Sequence, residues 1–211
     1  MPLAALNCRW SPHQLPLGAA ECSQMDNTTN NCRLPSNVVL GKIRVGLEYF
    51  RAERKTSGIT HDIDLFALLL DGDGKINDER DVVFYNNCSD SNHIAYSPPD
   101  DELPIIDSPE DDRIYINLKN AGDDIARILL VVVLYDAINR KQSFSDLTAF
   151  YMYTSFAADE SKPIAFEHLP HADVMLLCEF IKENGEWTFE CLGNGYKGGI
   201  SQLLLECGMA L

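Results

Sequence analysis

The chain has 211 residues, 45% of them hydrophobic, and a formal net charge of -15. That length suits one globular domain, alone or with an extension, and can bury a core without disulfides or metal. The charge argues against nucleic-acid binding, which needs clustered Lys and Arg. No stretch nears the roughly 18 uninterrupted apolar residues of a membrane helix.

Residues 1–36 are rich in Pro, Asn, Ser and Thr and show no sustained periodicity. They read as an irregular N-terminal extension or an irregular first strand, or as an over-long start ahead of Met25. Their opening lacks the charged and apolar regions of a signal peptide. Residues 37–211 are expected to form a single domain. From Val38 the chain reads as strands. Ile43, Val45, Leu47 and Tyr49 alternate with Lys42, Arg44, Gly46 and Glu48, the period of a half-buried strand. Strands are also predicted over 62–70, 82–86, 113–118, 125–135, 148–156 and 163–168. Residues 174–191 read as a hairpin, because Asn184-Gly185 is a strong two-residue turn signal. The tail from Ile200 reads as a short helix with Leu203, Leu204 and Leu205 on its apolar side. Strands joined by turns, without strand–helix alternation, predict an all-β fold: an antiparallel two-sheet β-sandwich with a short C-terminal helix. The LLL and VVV runs suggest central strands covered on both faces, or an inter-sheet core.

The acidic residues are concentrated. Between Asp62 and Asp124 there are 17 acidic residues against four basic ones, Lys75, Arg80, Arg113 and Lys119. Such a run is commonly a solvated surface, but carboxylates are also held close where a divalent cation relieves their repulsion. The conspicuous DGDGKI at 71–76 fails as an EF-hand loop, because the twelfth position is Arg80 where a bidentate Glu is needed. It reads better as a hairpin turn. Strand 65–70 separates Asp71 and Asp73 from Asp62 and Asp64 by some 20 Å or more, so the two pairs cannot share an ion.

Chain reversal at DGDG brings Asn86 and Asn87 back towards Asp62 and Asp64. The loop that follows carries Asp100, Asp101, Glu102, Asp107, Glu110, Asp111 and Asp112, and strand 125–135 returns to the same end at Asp136. These side chains offer carboxylate and amide oxygens, the ligands of Ca2+. No sulfur or imidazole stands in ligand spacing for zinc or copper. The seven cysteines include no CxxC pair and read as mostly inert thiols of a reducing cytoplasm.

The segments IRVGLEY, DIDLFALLLDGDGKI, VVFYNN, EDDRIYINL, VVVLYDAINRKQSF and FIKENGEWTFECLGNGYKGGI together resemble the TerD family, the tellurium-resistance and stress-associated calcium-binding proteins of bacteria. The resemblance runs from about Ile43 to Leu204. It implies a β-sandwich with calcium held by loops at one end. By motif, the ligand positions fall on Asp62, Asp64, Asn86, Asn87, Asp101, Glu102, Glu110, Asp111, Asp112 and Asp136. The family's Gly-rich loop is replaced here by DDELPIIDSPEDD, in which Pro104 and Pro109 stiffen the chain. One calcium site is therefore expected, and a second is put in doubt.

The resemblance further implies a cytoplasmic, non-enzymatic protein of a stress or tellurite-resistance system, with protein partners and no nucleic acid or membrane. Homo-oligomerisation is left open. The alternatives are a structural or assembly domain with a degenerate metal site and, less favoured, a carboxylate-dependent hydrolase. No Ser-His or Cys-His constellation, phosphate loop or HExxH motif supports an enzyme.

Overall fold

A computed structural model describes residues 31–34, 36–51, 61–99, 112–156 and 163–210. The strands are β1 (Asn31–Arg33), β2 (Ile43–Arg51), β3 (Ile63–Leu70), β4 (Val82–Val83), β5 (Ala95–Tyr96), β6 (Asp112–Ile116), β7 (Arg127–Leu134), β8 (Leu147–Thr154), β9 (Ile164–Ala165), β10 (Val174–Glu183) and β11 (Glu186–Tyr196). The α-helices are α1 (Ser36–Val39), α2 (Ala137–Arg140) and α3 (Gly199–Glu206). A six-stranded sheet has the order β1-β11-β10-β7-β3-β4, and a five-stranded sheet the order β5-β6-β2-β8-β9. Every strand pair is antiparallel. The expected all-β sandwich with a C-terminal helix is thus the observed architecture.

The apolar runs have a two-sided explanation. Ile63, Leu65, Ala67 and Leu69 of β3, with Ile128, Leu130, Val132 and Leu134 of β7, face the other sheet in the inter-sheet core. The intervening Phe66, Leu68 and Leu70, with Leu129, Val131 and Val133, form a second core on the outer face, under Leu203, Leu204 and Cys207. Strands buried on both faces lose the period-2 signal and read as continuous runs. A fully buried Leu, Ile or Val side chain contributes about 1.5–3 kcal/mol, so covering the outer face adds materially to stability. Leu205 was expected on the buried side of α3 but is 48% exposed. Three consecutive helical residues span roughly 200° of arc, more than one stripe can hold.

Two turns behave as their residues dictate. Asn184 (φ 52°) and Gly185 (φ 81°) both adopt left-handed backbone and close β10 onto β11, the geometry that matches strand twist. In the DGDG turn, Asp71 Oδ1 accepts the Asp73 and Lys75 N–H groups, each at 2.9 Å. Lys75 Nζ then donates to the Glu206 carbonyl at 2.7 Å, a cation on the C-terminal end of α3. Arg80 is paired to Asp78 at 2.7 Å and holds that carboxyl well below the usual range. Asp71, Lys75, Asp78 and Arg80 are therefore engaged in local architecture and in docking α3.

Part of the segment read as an extension is built into the sheet. β1 pairs with Thr188–Glu190 of β11, and Leu34 is 5% exposed. The predicted strand 82–86 is cut to Val82–Val83. Phe84 and Asn87 exchange both backbone hydrogen bonds, at 3.1 and 3.0 Å, and turn the chain. Asn87 Nδ2 locks that turn by donating to the Val82 carbonyl at 2.7 Å and the Arg80 carbonyl at 3.2 Å. The Pro163–His168 strand is likewise reduced to Ile164–Ala165.

Candidate metal centre

Asp62 and Asp64 stand at the start of β3. Ile63 and Leu65 point into the inter-sheet core, so alternation puts Asp64 on the outer face, in line with Phe66. Tyr135 N–H donates to the Asp62 carbonyl at 2.8 Å, which joins the entry of β3 to the exit of β7. Asp64 is half-buried. Burial, and then the Asp62 charge, push its carboxyl above the usual aspartate value. Burial and a like charge together disfavour the ionised Asp64, a cost that an opposite charge nearby would lower.

The turn holding Asn86 and Asn87 starts close by. Phe84 stacks on Phe66 at 4.8 Å between centroids, and Phe66 is one strand pleat, about 6.7 Å, from Asp64. Asn87 spends its amide N–H groups on the Arg80 and Val82 carbonyls, which leaves Oδ1 as the ligand atom that side chain could offer. Asn86 is exposed in the same turn.

Asp112 marks where the acidic loop rejoins the sandwich. It pairs with Leu47 of β2, whose side chain lies in the core, so its carboxylate faces the opposite sheet. There Oδ2 accepts the Leu65 N–H at 2.9 Å. That group lies on the edge of β3 that β4 leaves unpaired, because β4 stops opposite Ala67. One carboxylate thus satisfies an edge N–H, ties the two sheets together and pins the end of the loop to the residue after Asp64.

Asp136 sits at φ 54° just beyond β7. Its Oδ1 accepts from Asn139 Nδ2. Arg140 Nε is 3.7 Å from Asp136 Oδ2, and Arg140 Nη1 is 4.0 Å from Asp62 Oδ2. Arg140 is therefore an internal counter-cation linking two of the sequence-predicted residues, and it also lies 5.1 Å over the Tyr135 ring. It is absent from the predicted ligand set. Its i,i+4 spacing from Asp136 is the signal that points to it.

Asp101, Glu102, Glu110 and Asp111 lie outside the described residues. Among the described residues no three His, Cys, Asp or Glu side chains converge as a metal site. The described part of the site comprises Asp62 and Asp64, the Asn86–Asn87 turn, and Asp112 and Asp136, with Arg140 between Asp62 and Asp136. All the candidate donor atoms are oxygens, and the raised carboxyl of Asp64 beside Asp62 is what a hard cation would relieve. Carboxylate and amide oxygens are the donor chemistry calcium takes.

The fold is a two-sheet antiparallel sandwich with aspartates where β3 begins and β7 ends. The TerD domain model matches residues 27–206, and the chain belongs to the TerD family. It is 28% identical over 159 residues to "Tellurium resistance protein TerD" of Serratia marcescens, covering 74% of this chain and 82% of that protein. It is 26% identical over 178 residues to "General stress protein 16U" of Bacillus subtilis, covering 82% of this chain and 91% of that one. Among solved structures it resembles a homologue of telluride resistance protein from Streptomyces coelicolor, with a TM-score of 0.59, 18% identity, and coverage of 82% and 99%. That likeness is one of fold. No helix among the described residues is long and apolar enough to cross a membrane.

Proposed function

We propose that this chain is a cytoplasmic, non-enzymatic calcium-binding protein of a bacterial stress or tellurite-resistance system, and that the bound ion orders a loop surface for protein partners. The observation that carries the reading is Asp64, half-buried beside Asp62 with its carboxyl pushed up, next to the residue whose N–H anchors the acidic loop through Asp112. Asp62 and Asp64 would hold the ion, with the Asn86 and Asn87 amides and the carboxylates of Asp101, Glu102, Glu110, Asp111 and Asp136, while Asp112, whose Oδ2 already accepts the Leu65 N–H, would contribute through its other oxygen or as the loop's anchor. Calcium would supply charge neutralisation and a fixed shape there. Family membership and the names of the relatives support the stress and tellurite context.

The partner reading draws on the surface beside the site. Tyr135 is 53% exposed and Ile138 is 81% exposed, flanking Asp136 at the same end of the sandwich. Large apolar side chains rimmed by charge are typical of protein contact surfaces. The non-enzymatic reading is supported by the described serine–histidine cluster. Ser143 Oγ lies 3.1 Å from His171 Nδ1, but the nearby carboxylate, Asp146, contacts the serine at 3.5 Å. Ser143 and Asp146 form the capping box of the turn at Phe144–Asp146, a structural role that accounts for the serine.

Calorimetric titration of metal-free protein with Ca2+ tests the reading. At least one saturable binding event is expected, and Asp62→Asn should weaken it. Absence of heat, with no calcium-dependent change in melting temperature, would sink the proposal and favour a structural domain with a degenerate site.

A further inference from the structure

A pair of cysteines invisible in the sequence spacing becomes a unit in the fold. Cys178 and Cys191 are direct partners across the β10–β11 ladder, and both are free thiols. They meet because β10 is irregular. Between Leu176 and Cys178 its register shifts against both neighbouring strands, and Leu177 and Cys178 both enter the inter-sheet core. Without that irregularity consecutive residues would face opposite sides, and Cys178 would point away from the core. On β11 the same irregularity contains Gly193, at φ 66°. Cys191 packs against the same core, so the two side chains share a face.

The geometry points to Cys178 and Cys191 as an oxidation site that closes to a cross-strand disulfide under hydrogen peroxide. Directly opposed strand residues hold their Cβ atoms about 4.5–5.5 Å apart. A disulfide needs about 3.5–4.5 Å, so closure asks for a shift of roughly 1 Å, at a point where the ladder is already interrupted. Cys191 is the partly exposed member and Cys178 the buried one. This order assigns their roles.

The Cys191 thiolate attacks one peroxide oxygen. An S–O bond forms, the O–O bond breaks, and the departing hydroxide takes up a proton to become water. Cys178, giving up its proton, then attacks the sulfenic sulfur. The S–S bond forms, the S–O bond breaks, and a second water leaves. The two sulfurs lose two electrons and the two peroxide oxygens gain them. Burial raises both thiols, Cys191 to about 11 with Glu190 contributing, and Cys178 well above the usual thiol value. Thiolate is therefore scarce at neutral pH, and the pair responds to sustained peroxide rather than to trace oxidant.

The test is non-reducing peptide mapping of the folded full chain after hydrogen peroxide treatment and alkylation of the remaining thiols. More than half of the chains should yield a Cys178–Cys191 linked peptide that dithiothreitol releases. The linked protein should melt about 5 °C or more higher, as a closed hairpin loop predicts. Cys191→Ser should abolish both effects. Cys191→Ala, which adds no hydroxyl to a half-buried position, should do the same if the serine variant folds poorly. Recovery of both cysteines alkylated would overturn the proposal. So would Cys191 as sulfinic acid without a link, a link to Cys88 instead, or a link formed only in urea.

Discussion

Replacing Asp64 by Asn is expected to weaken calcium binding by on the order of 10- to 100-fold, and to raise, not lower, the melting temperature of the metal-free protein. Loss of a mere supporting partner already costs a metal site that much affinity, and a carboxylate lost from the site itself should cost no less. The opposite effect on stability follows from the sign of the Asp64 shift. Its folded carboxyl titrates above the ordinary value of 3.8, through burial and then Asp62. Native protein therefore holds that proton more tightly than the unfolded chain does. The stabilising contribution is present at low pH and is lost as pH rises through the window from 3.8 to the raised folded value. At neutral pH the metal-free chain carries the cost of a charge facing Asp62, and Asn removes it. On the proposed reading calcium would relieve the same cost, and competition with the proton would weaken binding as pH falls into that window. Paired thermal melts with and without calcium check both effects. An Asn variant that binds calcium as tightly as the parent would remove Asp64 from the site.

Phe150→Ala is expected to cost about 3–5 kcal/mol, the usual range for emptying a buried Phe position. Phe150 is 1% exposed. It makes edge contacts with Phe144 at 6.1 Å and Phe166 at 5.7 Å, and stacks with Tyr49 at 6.5 Å. Its carbonyl also accepts the Phe166 N–H at 3.0 Å, holding the segment after β9 against β8. Three aromatic neighbours on separate segments cannot all collapse into one cavity, so relaxation recovers little. For a domain of this size the melting temperature should fall by roughly 10 °C or more. Urea unfolding followed by tryptophan fluorescence measures it directly, since Trp187 is 4% exposed in the same core. A loss below about 1.5 kcal/mol would mean that the site repacks as a volume-tolerant one does.

Alternation in 43–49 located β2, and Asn184-Gly185 located the β10–β11 turn, because each signal is local to the chain. The LLL and VVV runs announced double burial without saying what supplies the second cover. That depended on α3 docking, in which Leu203 and Leu204 cover the face and Lys75 reaches the Glu206 carbonyl across the fold. β4 was overdrawn because VVFYN has strand composition throughout. What ends it is the Asn87 amide on the Arg80 and Val82 carbonyls, together with Asp112 taking the neighbouring edge N–H of β3. Neither contact has a sequence period.

The site shows the same division. The i,i+2 spacing of Asp62 and Asp64, and the strand lengths that return Asp136 to them, are legible in the chain. Arg140 beside Asp136 is legible as an i,i+4 pair, but its reach to Asp62 is not, because that depends on the left-handed turn at Asp136. The irregularity that turns Cys178 towards Cys191 is equally silent in the sequence.

The calcium content of the purified chain tests the central claim most directly. Protein equilibrated with Ca2+, desalted into calcium-free buffer and counted by atomic emission should retain at least one calcium per chain, and the Asp62→Asn, Asp64→Asn double variant should retain none. Parent protein that holds no calcium above the buffer blank, and whose melting temperature ignores added Ca2+, would contradict the account.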